Sequence, residues 1–582
     1  MLRKHLNNRD FHSPIEHWRI YILVFFIILA AAVIFIRLYS LQVVAHNKYL
    51  SLAQNQHEIF QELVPERGEI FLKDGKSTYP LAVNQDLQMA YAVPREVEEP
   101  EKIALMIASI LDIDEGLLKE KFSDENDLFE IIKHKLTDEE ISKVKELDLP
   151  GIYMMPEKFR YYPAGGLAAH IVGFVGSDGE KYTGRYGIES YWEEELHGKA
   201  GSLNQERDTG GRWISITDRD LQPAQDGIDL VLTISYPIQY EVEKILRETV
   251  EKHGADDGTI IVMEPATGKI LALANYPSFN PNNYSDVEDM SVFLNPAVSF
   301  TYECGSVFKP VTMAAGIDDG KIEPDSTYVD TGSVHEAGYT ITNSEGKTYG
   351  QQTMTKVLEE SINTGVIHVE KLIGNRKFAD YVKRFGFGNR SGIELPAESA
   401  GNTKNLKELR KDIQFFTAAF GQGVAVTPIQ LINSYAVIAN GGKLMKPQII
   451  DKIIHPDGTE EEIRPQEIRR VISEEAARKV REMLRSVVVN GHGKRADVPG
   501  YLVGGKTGTA QVAKVNEKGY EEGVTIGSFA GFAPTDDPQF AILVKIYNPK
   551  DVQWAESTAA PAFSKVMKFL LEYYKIKPTE EY

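Results

Sequence analysis

Ser306 and Lys309 stand three residues apart in the stretch Tyr302-Glu303-Cys304-Gly305-Ser306-Val307-Phe308-Lys309-Pro310. If Gly305 opens a helix, the hydroxyl and the amine share one face within reach of each other. A serine hydroxyl is a poor nucleophile at its own pKa, and a lysine with a lowered pKa can take its proton. The apolar run Val311, Met313, Ala314, Ala315 is expected to bury the opposite side of that helix. The pair alone decides nothing, because Ser142 and Ser344 are also followed by a lysine at the third position. Ser306 is singled out by two further motifs that come after it in order, Ser361-Ile362-Asn363 and then Lys506-Thr507-Gly508-Thr509. Ser-x-Asn recurs at Ser202 and Ser278, whereas Lys-Thr-Gly occurs once, after Leu502-Val503 and two glycines.

These residues need a frame, and hydrophobic patterning supplies one from about residue 226 onward. A strand is expected over 229–234, then an amphipathic helix over 237–253, whose Pro237 suits a first helical turn. Strands over 258–264 and 269–275 flank Pro265-Ala266-Thr267-Gly268, a hairpin signature. Three more strands are expected over 501–510, 525–533 and 539–546, and a final helix over 559–574. Helix, hairpin, a helical middle carrying the nucleophile, then strands and a helix amount to an antiparallel sheet packed with helices, an α+β fold.

The 582 residues, 25% charged and 42% hydrophobic, have globular composition and exceed what one core holds. A formal charge of −20 without a basic stripe argues against a nucleic-acid binder. One cysteine, Cys304, excludes an intramolecular disulfide. Near the N-terminus, residues 1–19 carry Arg3, Lys4, Arg9 and Arg19, and Ile20 to Ile36 runs without a charge. At about 1.5 Å per residue this run, extended by Tyr39 and Leu41, nearly spans a hydrocarbon core of about 30 Å. The basic flank keeps the N-terminus in the cytoplasm and places everything after Arg37 outside. A signal peptide cleaved at Val43-Val44-Ala45 and a buried soluble helix are the competing readings. From 45 to 225 short strands alternate with turn signals and no nucleophile, metal or phosphate motif occurs. Lys73-Asp74-Gly75-Lys76 marks a hairpin turn. An acidic stretch over about 95–150, with helical spacing at Ile103, Met106, Ile107 and Ile110, reads as a solvated helical insertion or a partner surface.

The whole chain resembles a class B penicillin-binding protein, a membrane-anchored peptidoglycan D,D-transpeptidase. The resemblance runs through Arg67-Gly68, the block from Arg160 to Gly176, Gly187-Ile188-Glu189 and all three motifs. It continues in Phe385-Gly386-Phe387-Gly388, Gly392-Ile393-Glu394-Leu395-Pro396 and Phe420-Gly421-Gln422-Gly423. It implies a transpeptidase domain of the penicillin-binding and serine β-lactamase type over 226–576. Before it come a cytoplasmic tail (1–19), a transmembrane helix (20–43) and an elongated, non-catalytic pedestal of the dimerisation type (44–225). A short tail (577–582) ends the chain.

By that resemblance Ser306 attacks the carbonyl between the two terminal D-alanines of a stem peptide, with Lys309 as base. Ser361 relays the proton to the leaving amine, and Asn363 holds the substrate amide. Lys506 completes the catalytic group, and burial with the like charge of Lys506 is expected to lower Lys309. Thr507 and Thr509 bind the terminal carboxylate, and Gly508 lets the substrate backbone approach. Backbone N–H groups of Ser306 and Thr509 form the oxyanion hole, and an amine from a neighbouring stem peptide resolves the acyl-enzyme into a crosslink. The resemblance implies no cofactor and no metal, β-lactams as covalent inhibitors, and a SEDS-type glycan polymerase and other wall-synthesis membrane proteins as partners.

Two departures from the family pattern stand out: Cys304 where proline is usual, read as an inert apolar residue with a reactive thiol as the alternative, and Glu556-Ser557 where small glycine-rich sequence is common. Gln422 is read as a turn behind the site and His492 as a solvated loop histidine. The rival readings are an elongation-type transpeptidase, since Glu303 favours the division and sporulation types; a D,D-carboxypeptidase or β-lactamase; and an inactive scaffold or β-lactam sensor.

Overall fold

The computed structural model describes residues 17–39, 58–123, 127, 129–177, 182–206, 220–514 and 519–579. Most of the expected cytoplasmic tail, the candidate cleavage site Val43-Val44-Ala45 and residues 580–582 lie outside them. The chain forms two compact units, Met1–Pro65 with Lys199–Gln225, and Glu66–Gly198 with Asp226–Tyr582.

The first unit holds the helix His17–Tyr39 and a three-stranded antiparallel sheet of Glu58–Leu63, Gly201–Glu206 and Asp220–Gln222. Apolar side chains along the helix, among them Phe25, Ile28 and Phe35, are exposed. No helix among the described residues is long and apolar enough to cross a membrane.

In the second unit an antiparallel sheet carries the order Ile270–Tyr276, Asp257–Met263, Phe540–Tyr547, Tyr520–Ala533, Gly504–Ala513. The last strand in sequence is therefore the middle one in space. Period-two alternation buries both faces: Ile260, Val262 and Val544 face a core with the helices Tyr236–His253 and Ala559–Tyr573, while Ile261, Met263 and Leu543 face the larger core. There lie Lys309–Asp318, Asn363–Ile373 and Pro428–Ala439, the last buried along its whole length and started by a Thr427/Gln430 capping box. The expected α+β arrangement is borne out, with strand ends shifted by a few residues.

A second sheet was not foreseen as one element. Asp229–Ser235 lies between Ile450–Ile454 and Ile70–Asp74, the latter parallel to it, and the sheet continues through Ser77–Ala92 to Glu130–Leu136 and Ile152–Tyr161. Strands from both sides of residue 226 thus share one ladder. The acidic stretch has helices Pro100–Leu111 and Asp138–Leu147 with a core of Ile103, Ile107, Leu111, Phe122 and Val144, and its strand Glu130–Leu136 was not expected. Beside the second sheet, fully buried Glu189 accepts from Arg67 Nη2 at 2.6 Å, Arg160 Nε at 2.7 Å and Tyr162 OH at 3.3 Å. The two guanidiniums hold this carboxyl below its usual pKa against the desolvation that would raise it.

Candidate active site

The nucleophile turn is made by glycines on three sides. Gly305–Phe308 is a 3₁₀ turn running directly into the helix Lys309–Asp318, and Gly305 itself has φ +63°. A side chain on Gly421 would sit 2.2 Å from the Gly305 carbonyl oxygen; its absence lets the Gly305 N–H donate to Gly421 O at 3.1 Å. On the other side a Cβ on Gly508 would lie 2.9 Å from Cys304 O and Val307 N. Gly508 therefore admits the nucleophile turn, a role that its motif did not announce. Gly508→Ala is expected to displace the turn: benzylpenicillin acylation, followed by intact mass, slows at least tenfold while the circular dichroism spectrum is unchanged. The helix is also not one-sided as expected, since every residue from Lys309 to Ile317 is buried.

Lys309 is inaccessible, and its Nζ donates to Ser361 O at 2.5 Å, Asn363 Oδ1 at 2.8 Å and Ser361 Oγ at 3.2 Å. Burial drives its pKa well below the ordinary lysine value, and the positive charge of Lys506 adds to the shift. Ser361 presents both oxygens to one amine because its backbone is left-handed, at φ +56°, a conformation costing a non-glycine residue about 1–3 kcal/mol. Ser361 does not cap the next helix, since the cap position of Asn363–Ile373 is Ile362 and no side chain caps it. Asn363 donates from Nδ2 to Thr342 O at 3.0 Å and turns its oxygen to Lys309, so part of the amide is engaged within the protein.

Lys506, Thr507 and Thr509 lie on Gly504–Ala513, the edge strand of the catalytic sheet. Lys506 is buried, and desolvation pulls it down to about 7, partly offset by the Glu556 carboxylate. Among the described residues its Nζ hydrogen-bonds only Thr507, at 3.1 Å to the carbonyl and 3.4 Å to the hydroxyl. Ser306, Ser361, Asn363, Thr507 and Thr509 line one cavity of about 670 Å³. Two buried amines with lowered pKa thus stand behind a wall of hydroxyls, an arrangement suited to acyl transfer through a serine. Among the described residues no group of side chains is arranged to hold a metal.

A family model described as the penicillin-binding protein transpeptidase domain matches residues 258–568, and one described as the penicillin-binding protein dimerisation domain matches residues 62–232. The chain is 34% identical to stage V sporulation protein D of Bacillus subtilis, over 95% of this chain and 86% of that protein. It is 30% identical to peptidoglycan D,D-transpeptidase FtsI of Escherichia coli, over 97% and 94%. The chain belongs to the class B penicillin-binding proteins. Penicillin-binding protein 3 of Mycobacterium tuberculosis in complex with ampicillin matches this penicillin-binding protein with a TM-score of 0.69 at 27% identity, over 90% of this chain and 98% of that one.

Within this penicillin-binding protein, several residues near the site had no motif to announce them. Gln422 lines the cavity, so its loop does more than back the turn. Glu303 ties the nucleophile segment down by accepting from Gly423 N–H at 2.9 Å and Tyr520 OH at 3.2 Å. Buried Asp330 accepts from Thr364 Oγ1 at 2.6 Å and from Asn343, fixing the start of the Asn363 helix. His492, read as solvated, lines the cavity and bonds Glu556. Trp554 also faces the cavity. Cys304 is buried and desolvation pushes its thiol up, which supports the inert reading over the reactive one.

Proposed function

We propose that this chain is a peptidoglycan D,D-transpeptidase of the division type, anchored in the plasma membrane with its catalytic domain outside. The observation that carries the chemistry is the inaccessible Lys309 amine, with depressed pKa, bonded to Ser361 and Asn363 at the wall of the cavity that Ser306 lines. Ser306 Oγ attacks the carbonyl between the terminal D-alanines as Lys309 takes its proton. Backbone N–H groups of Ser306 and Thr509 receive the oxyanion, a contribution of about 3–4 kcal/mol per donor in other acyl-transfer enzymes. Ser361 passes the proton to departing D-alanine, whose carboxylate is held by Thr507 and Thr509. An amine of a second stem peptide then displaces Ser306.

The division assignment is supported by relatives named FtsI and stage V sporulation protein D. The anchor is supported by exposed apolar side chains on His17–Tyr39 and by the basic residues before it in sequence. In this reading the tail is 1–19, the anchor 20–43, the pedestal 44–225, the transpeptidase domain 226–576 and the final tail 577–582. The anchor and pedestal associate with a SEDS-type glycan polymerase, which copurification of the two from membranes tests.

The deciding experiment is intact-mass analysis of the chain after incubation with benzylpenicillin, beside Ser306→Ala and Cys304→Ala. A single stable adduct is expected in the parent and in Cys304→Ala and none in Ser306→Ala. Destruction of the drug without an adduct would instead identify a hydrolase.

A further inference from the structure

Lys404, Lys407, Arg410 and Lys411 crowd one short segment of a chain whose formal charge is −20. Glu408 and Asp412 interrupt the run, so no basic stripe shows in sequence. The fold concentrates the charge. Asn375, at the start of the helix Asn375–Arg384, donates from Nδ2 to Leu409 O at 2.9 Å and to Asp412 Oδ1 at 2.6 Å, which brings Arg376 beside Arg410 and Lys411. These cations are exposed, and among the described residues none of them has an ion-pair partner. Lys377 and Arg384, on the same helix, are instead spent on Asp319 and Val471 O. Unpaired like charges repel one another, a cost that an anionic ligand removes. The patch is rooted in the wall of the active-site cavity: Asn405 Nδ2 donates to Gly423 O at 2.8 Å, next to cavity-lining Gln422, and Leu406 is buried between its basic neighbours. The helix Asp412–Ala418 then carries Thr417, which lines the cavity about 8 Å along the axis from Asp412.

We propose that Arg376, Lys404, Lys407, Arg410 and Lys411 form a docking surface for an uncrosslinked glycan strand, and that they recognise the carboxylates of the stem peptides flanking the one that enters the cavity. The inference rests on the transpeptidase reading and adds to it how the polymer, rather than a single peptide, is held. Every stem peptide that ends in D-Ala-D-Ala ends in a carboxylate, so an uncrosslinked strand presents a row of negative charges. Arginine forks meet carboxylates in pairs of hydrogen bonds, and lysines on flexible stems follow a row of uneven spacing. Transpeptidation removes the donor's terminal carboxylate with the departing D-alanine and leaves a neutral amide. The strand loses charge with each crosslink, so the surface holds nascent strand and lets finished wall go.

The test compares the polymer with its own repeating peptide. The full-length chain in detergent receives uncrosslinked glycan strands bearing pentapeptide stems, or the free pentapeptide, and release of D-alanine gives kcat and KM. A variant combining Lys404→Gln, Lys407→Gln, Arg410→Gln and Lys411→Gln is expected to raise KM for strands about tenfold. Its kcat, its KM for free pentapeptide and its benzylpenicillin acylation are expected to stay within about twofold of the parent, which shows that it is folded. The charge-keeping set Lys404→Arg, Lys407→Arg, Arg410→Lys and Lys411→Arg is expected to retain the parent KM. In about 1 M salt, where screening acts over about 3 Å, the parent is expected to match the glutamine variant. Equal KM for strands in the parent and the glutamine variant, both releasing D-alanine, would overturn the docking surface alone. Strands stripped of their stem peptides are expected not to compete; competition equal to that of intact strands would overturn the carboxylates as the recognised groups. A parent that releases D-alanine from neither substrate would overturn the transpeptidase reading and the surface with it.

Discussion

Lys309→Met is expected to slow benzylpenicillin acylation of Ser306 by about 10³-fold, within the span of about 10²–10⁴ that a positioned general base contributes. The amine is buried, its pKa is lowered by desolvation and by Lys506, and its bonds to Ser361 and Asn363 hold it in place. Methionine fills the same volume and cannot accept a proton. Because the folded state lowers the lysine pKa, the unfolded chain binds more protons between the depressed value and about 10.4, and parent stability rises with pH across that window. The penalty for the buried amine is complete below the folded pKa and gone above the unfolded one. Methionine carries no such penalty, so the melting temperature of the variant minus that of the parent should fall steadily from pH 7 to pH 10. Thermal melts across that range, beside intact-mass time courses, check both halves. A pH-independent difference would mean the amine is not held neutral in the fold.

Glu189→Leu is expected to cost about 3–5 kcal/mol, the range for removing one partner of a buried ion pair. Its carboxylate is the shared acceptor for Arg67, Arg160 and Tyr162 at 0% exposure, so leucine removes an acceptor from two guanidiniums at once. Against a typical stability of about 5–15 kcal/mol the loss is large. Glu193 still accepts from Arg67 at 2.6 Å, so Arg160 is left the less compensated of the two. Denaturant unfolding should show the midpoint fall, and Glu189→Gln, which keeps an acceptor oxygen, should lose less. Equal stability of parent and Glu189→Leu would show that the network contributes nothing net.

The catalytic motifs were legible because acyl transfer demands residue types that rarely coincide in order, and the sheet was legible because its strands alternate on a period of two. The geometry of Ser361 was not: nothing in a serine announces φ +56°, which neighbouring packing imposes. Nor did sequence foretell that Gly508 makes room for the nucleophile turn, because the clash belongs to residues about 200 positions away. His492 read as a solvated loop residue and Glu556 only as a departure from the family pattern, and their bond joins two loops that only the fold brings together. The second sheet was missed for the same reason. Its parallel pairing of Ile70–Asp74 with Asp229–Ser235 leaves no hairpin signal between them.

The strand order of the catalytic sheet has a consequence for biogenesis. Phe540–Tyr547 separates the hairpin of Asp257–Met263 and Ile270–Tyr276 from the pair Tyr520–Ala533 and Gly504–Ala513. A chain emerging N-terminus first therefore carries Ser306 and Lys309 long before the strand that joins Lys506 to the rest of the sheet exists. On this order, the assembly of Ser306 and Lys309 with Lys506 into one site waits for the last strand of the sheet.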